Sequence, residues 1–295
     1  MMVKKLITPI AFALLACGVW ACGGSNSNNA QNTDSSSTEA VTENLKKILN
    51  EVPKPTEIPY LLEATGADFN AKIPNKAENV DKYKTTNTIA ALNLGIYAAD
   101  IGYVSVYEKV QDALDYMNAV KTLSDKLGLS NVFEASTIER FKQNLDNKDS
   151  LATIIDESIK SADEYLKDNE RNNISSYIFA GSFIEGLYIA TALVDNYPKD
   201  ILPADVRDQI LIPIVRLIIK QDEPLANLID VLESLGEQDA TVQKLLADLK
   251  ELKESYAKLD IEERIKNNEG DLVINDETIK QITAKVKQIR SGLVG

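Results

Sequence analysis

Two stretches of this chain, Thr86 to about Tyr107 and about Asn173 to Asn196, are apolar around nearly their whole circumference when wound as helices. Such helices must be wrapped on every side by other elements or by lipid. Each repeats a small residue at every fourth position: Ala91, Gly95 and Ala99 in the first, Ser182, Gly186 and Ala190 in the second. At about 100° per residue a stripe of this kind stays on one face, where two helix axes can approach closely. The two helices are therefore expected to pack against each other at the centre of the fold. An interior glycine costs a helix about 1 kcal/mol relative to alanine, and close packing is the compensation. The second stretch contains Glu185 and Asp195 and has too short an unbroken apolar run for a membrane span, so it reads as a buried core helix. Gly95-Ile96-Tyr97-Ala98-Ala99 and Gly186-Leu187-Tyr188-Ile189-Ala190 share a pattern, but five positions are too few to establish a duplication.

The remaining periodicity is helical throughout. Short pieces are expected over Val41–Glu51, Ile58–Thr65 and Lys76–Lys84, separated by Pro53, Pro55, Pro59, Gly66 and Pro74. Val110, Leu114, Met117, Leu123 and Leu127 mark an amphipathic helix that Gly128 ends, and a shorter one covers Phe133–Leu145. Asp149 is the expected N-cap of a helix whose Leu151, Ile154, Ile155, Ser158, Ala162, Tyr165 and Leu166 form one stripe. Pro213 predicts a kink or break near Leu211 within Asp205–Lys220. The last three helices carry Leu225, Leu228, Leu232 and Leu235; Val242, Leu245, Leu249, Leu252, Tyr256 and Leu259; and Ile279, Ile282, Val286, Ile289 and Leu293. Spacings alternating three and four favour antiparallel packing. Only Leu272–Ile274 resembles a strand, and one strand makes no sheet. The fold class is all-α: a multi-helix antiparallel bundle with two central small-residue helices and a C-terminal three-helix, heptad-like portion.

Composition narrows the chemistry. The chain has 295 residues, 44% of them hydrophobic, enough for a sizeable core. Its formal charge of −13 argues against nucleic acid and against a polybasic membrane patch. It has no histidine, which excludes Ser-His-Asp and Cys-His catalysis, His-ligated zinc and a histidine pH switch. There is no phosphate-binding glycine loop, GxSxG elbow or HExxH. Asn267-Asn268-Glu269-Gly270-Asp271 looks calcium-like, but the position that would open an EF-hand loop is Ile265, so it reads as a turn. The acidic run Asp260–Glu263 reads as a solvated face. Neither a metal nor a cofactor is expected, nor an enzyme, although a glycosidase-type carboxylate pair needs only spatial proximity and leaves no trace in sequence.

The N-terminus gives the compartment. Lys4 and Lys5 precede an apolar run from Leu6 through Ala16, the pattern of a secretory signal peptide over residues 1–21. The only two cysteines lie here, in Leu14-Leu15-Ala16-Cys17 and Val19-Trp20-Ala21-Cys22. Both resemble the lipobox of bacterial lipoproteins. Cys17 has leucine at −3, but the polar tract Gly23-Gly24-Ser25-Asn26-Ser27-Asn28-Asn29 starts straight after Cys22. Cys22 is the preferred lipidation site, with Cys17 the alternative. Acyl chains contribute about 0.8 kcal/mol per buried methylene, so a multiply acylated cysteine anchors without a transmembrane helix. The mature chain loses Lys4 and Lys5 with the leader and moves from −13 to −15. It keeps no cysteine outside the anchor region, so disulfides are not expected to hold the fold. Residues 22–40 form the lipidated cysteine and a flexible tether, whose Gly23–Glu39 part spans about 20–25 Å. Residues 41–295 form one helical domain, with room for a sub-boundary near 198–204. No acidic run follows either cysteine, so an outer-membrane anchor facing the periplasm is preferred over the cell surface.

Asn93-Leu94-Gly95-Ile96-Tyr97-Ala98-Ala99-Asp100-Ile101-Gly102-Tyr103 and Ala180-Gly181-Ser182-Phe183-Ile184-Glu185-Gly186-Leu187-Tyr188-Ile189-Ala190-Thr191 resemble segments of a group of helical lipoproteins common in Bacteroidetes. The resemblance covers roughly residues 86–195. It implies anchoring and helical architecture, and no activity.

Away from the small stripes, Tyr97, Asp100, Tyr103 and Tyr107 share a face of the first apolar helix, and Tyr177, Tyr188 and Asp195 a face of the second, with Glu185 flanking. An acid on an apolar helix must be paired, hydrogen-bonded or protonated. Asp100, Tyr103, Glu185 and Tyr188 are the candidate ligand or partner contacts. Alternatively they form a buried network neutralised by Arg140, Arg171 or Arg216. Two functions follow: a non-enzymatic interaction module that docks an envelope protein, or a small-molecule or peptide binder with its pocket between the two central helices. The lipid anchor is checked by metabolic labelling: radiolabelled palmitate should enter the wild-type chain and fail to enter the Cys17→Ser, Cys22→Ser double variant. Equal labelling of both would overturn the lipoprotein reading.

Overall fold

A computed structural model describes residues 54–197, 203–259, 266–267, 273 and 275–295. The leader, both cysteines, the tether and the Val41–Glu51 helix lie outside the described residues, as do 198–202, the acidic run 260–263, most of the expected 267–271 turn, and Leu272 and Ile274. Among the described residues there are ten α-helices, one 3₁₀ helix over Ala77–Lys84, and no strand. The helices are α1 (Glu57–Ala64), α2 (Asn87–Val106), α3 (Val110–Lys126), α4 (Ala135–Gln143), α5 (Lys148–Asp168), α6 (Asn172–Asn196), α7 (Ala204–Ile219), α8 (Asp222–Ser234), α9 (Ala240–Tyr256) and α10 (Glu277–Val294).

The capping chemistry explains where they start. Thr86 Oγ1 accepts the Ile89 N–H at 3.1 Å and opens α2. Asp239 Oδ1 accepts from Thr241 and Val242 and opens α9, and Asp276 does the same for α10 through Thr278. In α5 the cap is Asn147, accepting from Ser150, and not Asp149 as expected. Asp149 lies inside the first turn, where a carboxylate still favours the helix dipole. Gly128, at φ +70°, ends α3 as expected. Pro213 does not break α7, which runs from Ala204 to Ile219. The carbonyl of Gln209, which Pro213 cannot satisfy, belongs to an exposed residue on the solvent side, so water can take the missing N–H's place.

α2 and α6 form the largest helix–helix interface and lie at the centre. Every residue from Ala90 to Val106 and from Ile174 to Leu187 is buried. Around them, α1, α3, α5 and the 3₁₀ helix pack on α2, while α1, α5, α7 and α10 pack on α6. Each surrounding helix turns one apolar face inward: Leu151, Ile154, Ile155 and Ile159 of α5 are buried, for example, while Lys160 and Glu164 are exposed. The expected C-terminal helices form a row rather than a separate unit. α9 lies between α8 and α10, and α10 leans on α6. Lys253 of α9 reaches Asp222 at the start of α8, and Lys285 of α10 reaches Asp248 and Glu251 of α9.

The central pair differs from this antiparallel pattern. Asp239 accepts the Thr88 hydroxyl and lies close enough to Tyr177 to act on its phenol. One turn further along, Leu92 meets Gly181, and further still Asp100 meets Glu185. α2 and α6 therefore run in the same direction. Their glycine contact is reciprocal. A Cβ on Gly95 would stand 1.9 Å from the Ile178 carbonyl oxygen, and a Cβ on Gly181 would stand 1.9 Å from that of Leu92. Gly95 thus packs on the Ile178–Ser182 backbone and Gly181 on that of Leu92, so the close approach uses Gly181 and not Gly186 of the matching sequence pattern. Gly186 faces the Ile58 side chain of α1 instead, 3.0 Å from an added Cβ.

This register sets different costs for the three glycines. Gly95→Ala and Gly181→Ala force backbone apart in a packed core and should each lower stability by about 3 kcal/mol or more. Gly186→Ala meets only the tip of a flexible side chain and regains helix propensity, so its change should stay within about 1 kcal/mol. Urea unfolding of the three variants measures the difference; equal losses would contradict the register.

Candidate functional site

Asp100 and Glu185 lie on facing sides of the central pair, both fully buried. Glu185 is held by a two-bond fork from Arg290 of α10: Nε to Oε2 at 3.0 Å and an Nη to Oε1 at 3.1 Å. The same guanidinium stacks 4.6 Å above the ring of Tyr188, one turn along α6 from Glu185. Arg290 is itself largely buried, its side chain 12% exposed. Burial opposes its charge, but the Glu185 and Asp100 carboxyls outweigh that and raise its pKa. The planar fork suits a carboxylate in a dry site.

One guanidinium faces two carboxyls, and the second is the Asp100 side chain. Its Oδ2 accepts the Asn75 N–H at 3.1 Å, while Oδ1 meets no N–H or hydroxyl donor. Burial raises the Asp100 pKa well above its ordinary value. The neighbouring Glu185 carboxylate adds to this, against the pull of Arg290 and the Asn75 N–H. The acid form of Asp100 can donate Oδ1–H to Glu185, so that the three side chains share one proton and carry no net charge.

The tyrosines on the same face of α2 are also engaged. Residues 66–77 lie over α2 as a strap that is irregular from Gly66 to Lys76 and enters the 3₁₀ helix at Ala77. Such a segment has no internal ladder, so its buried N–H and C=O groups need outside partners. Tyr107 donates its hydroxyl to the Ala67 carbonyl at 2.7 Å, and Tyr103 accepts the Asn70 N–H at 2.9 Å. Tyr97 donates to the Lys76 carbonyl at 2.9 Å. The Tyr83 hydroxyl donates to the Val294 carbonyl at 3.0 Å and lies 3.2 Å from the Asn75 side-chain oxygen. Phe69 of the strap packs on Tyr103 and Tyr107, with ring centroids 5.3 and 5.6 Å away. Burial raises all four phenol pKa values, that of Tyr103 to about 12.

Of the four candidate residues, Asp100, Glu185 and Tyr188 come together around Arg290, while Tyr103 of α2 holds the strap through the Asn70 N–H. Tyr177 is buried near Asp239, and Asp195 is exposed. The neutralising arginine is none of the three expected. Arg140 pairs with Glu157 on the surface and Arg171 donates to the Leu127 carbonyl. Arg216 lines a hollow of ≈ 450 Å³ on α7 with Asp205, Asp208, Gln209, Ile212 and Pro213. Arg290 did carry a signal, since it follows Val286 by four positions and continues a stripe that is otherwise apolar. The strap carried none. Among the described residues no cluster of three or more acids or cysteines is placed to hold a metal ion. No family model matches the chain, and no curated protein or solved structure matches it.

The shared proton predicts an unusual pH dependence. A carboxyl whose folded pKa is raised stabilises the fold below its unfolded value, and that contribution is lost as pH rises through the folded value. Wild-type stability should therefore fall as pH climbs from about 4 toward the raised Asp100 value. Asp100→Asn, which is neutral and can still donate to Glu185, should remove this contribution and equal or exceed wild type at pH 8. Arg290→Met strands Glu185 without its partner and should cost about 3–5 kcal/mol. Chemical denaturation across pH 4–9 tests all three; a decline unchanged in Asp100→Asn would place the proton elsewhere.

Proposed function

We propose that this chain is a lipid-anchored extracytoplasmic lipoprotein that acts without catalysis, docking a protein partner in the cell envelope. The anchor is acylated Cys22, with Cys17 as the alternative, and the tether holds the helical domain off an outer membrane, on its periplasmic face. The support for an anchor is the leader, the two lipobox-like segments and the polar tract after Cys22.

The observation that carries the docking reading is the strap. The tyrosine and carboxyl face that a small-molecule or peptide ligand would need is already engaged, by the chain's own residues 66–77 and by Arg290. Nor does the acid pair favour glycoside chemistry. Glycosidase carboxyls stand about 5–9.5 Å apart with a sugar between them, whereas Asp100 and Glu185 are in contact and sealed from solvent. Recognition is left to the outer surface. The binder reading retains the α7 hollow, which is open and flanked by two acids and an arginine.

Crosslinking in intact cells, followed by affinity purification of the tagged lipoprotein and mass spectrometry, tests the docking reading. One envelope protein in near-stoichiometric amount is the expected result. No enriched partner, together with a ligand that stabilises the wild type but not an Asp208→Asn or Arg216→Ala variant, would replace it with the binder reading.

A further inference from the structure

The strap covers a buried carboxyl that it satisfies at one oxygen only, through the Asn75 N–H to Asp100 Oδ2. The strap's own Asn75 Nδ2 is buried without a hydrogen-bond partner, and beside it Asp100 Oδ1 has a partner only while the carboxyl pair holds its proton. Unsatisfied polar atoms of this kind favour access to water.

We propose that residues 66–77 are a pH-operated lid, closed while Asp100 and Glu185 share a proton and lifted when that proton leaves. Losing the proton places two carboxylates against the single Arg290 guanidinium in a dry core. Asn75 supplies one N–H to Asp100, which cannot replace a hydration shell. Water must then enter, and the covering elements do not yield equally. α2 and α6 are interlocked backbone to backbone at Gly95 and Gly181. The strap has no helix before Ala77 and buries only Ala67, Ile73, Pro74 and Asn75, and it leaves α1 through Gly66 at φ +81° with open space around that residue.

The other groups facing Asp100 leave the switch to the carboxyl pair. They are Tyr83 of the 3₁₀ helix, Tyr97 and Tyr103 of α2, Tyr116 of α3 and Tyr188 of α6, whose phenol pKa values burial raises, together with Arg290 of α10, whose pKa is also raised. All six keep their protons through the neutral range.

Hydrogen exchange on the full chain at pH 5 and pH 8.5, with exposure times scaled for the intrinsic rate, tests the lid. The expected result is a tenfold or greater loss of protection at pH 8.5 in peptides covering 66–77, with peptides from Ala90–Val104 unchanged, and no such loss in Asp100→Asn. Glu185→Gln leaves one carboxyl for Arg290 and should behave like Asp100→Asn, which keeps the test available if either variant fails to fold. Equal strap protection at both pH values overturns the proposal. So does the same loss in both variants, or a loss shared by α2, which would be core opening.

Discussion

The contact of Gly95 with the Ile178 carbonyl, and of Gly181 with that of Leu92, is the constraint on which the rest of the fold depends. Two helices that touch through backbone leave no room for side chains between them, so all their bulk is directed outward and sideways. Their leucines, isoleucines and tyrosines then need covering on every other side, which is what the amphipathic helices supply. Because α2 and α6 run in the same direction, the chain must also return along the pair before α6 can begin. α3 to α5 make that return. Two tight reversals help: after α2, Lys109 N–H meets the Val104 carbonyl at 2.9 Å, and after α5, Arg171 N–H meets that of Leu166 at 2.8 Å. Each passes through a left-handed residue, Glu108 and Glu170, both at φ 57°.

Enclosure on all sides turns two ordinary acids into a structural problem. Asp100 and Glu185 fall within the stretch of α2 and α6 that the other helices bury, and neither can reach water. The solution comes from 105 residues further along the chain, where α10 brings Arg290 across α6. A buried ion pair contributes less to stability than to uniqueness, because its cost falls on any arrangement that misplaces one partner. Here the fork requires α10 to sit on α6 at one height. The bonds of Asn93 Nδ2 and Tyr83 to the carbonyls of Leu293 and Val294 fix the same end of α10. The C-terminal row is thereby tied to the central pair rather than standing as a separate bundle.

What could be read from sequence was whatever repeats at helical period. Gly128 as stop, the α5 stripe and the apolar seams of α8, α9 and α10 are local signals, and they placed the helices to within a few residues. The centrality of α2 and α6 was readable for the same reason. Their register was not. The match of Gly95 to Gly186 is a resemblance of neighbours along the chain, whereas the contacts of Gly95 with Ile178 and of Gly181 with Leu92 depend on crossing geometry that no single helix encodes. The neutralising arginine was missed: Arg140, Arg171 and Arg216 were the ones expected, and the signal that would have found Arg290 is its place along the otherwise apolar stripe of α10. The strap has no period at all, so nothing in residues 66–77 announced that they cover the tyrosine face.

That covering explains why a row of tyrosines belongs on a core helix. An irregular segment pressed onto an apolar surface would bury N–H and C=O groups with nothing to meet them. Phenol rings extend the reach of α2 while adding apolar area, and their hydroxyls can either donate or accept. Tyr97 and Tyr107 donate to carbonyls of the strap, and Tyr103 accepts from one of its amides. Recognition of this kind is directed at main chain, as a peptide-binding groove's would be, and it is met here by the protein's own chain. The features that suggested a ligand site, hydroxyls and a carboxyl on one face of a buried helix, are the features needed to seal a segment that has no secondary structure of its own. Asp100 differs from the tyrosines beside it in one respect. Their phenols face no second acid at contact, whereas Asp100 faces the Glu185 carboxyl with one guanidinium between the two, and on the proposed lid mechanism it is the proton of that pair that keeps the strap closed.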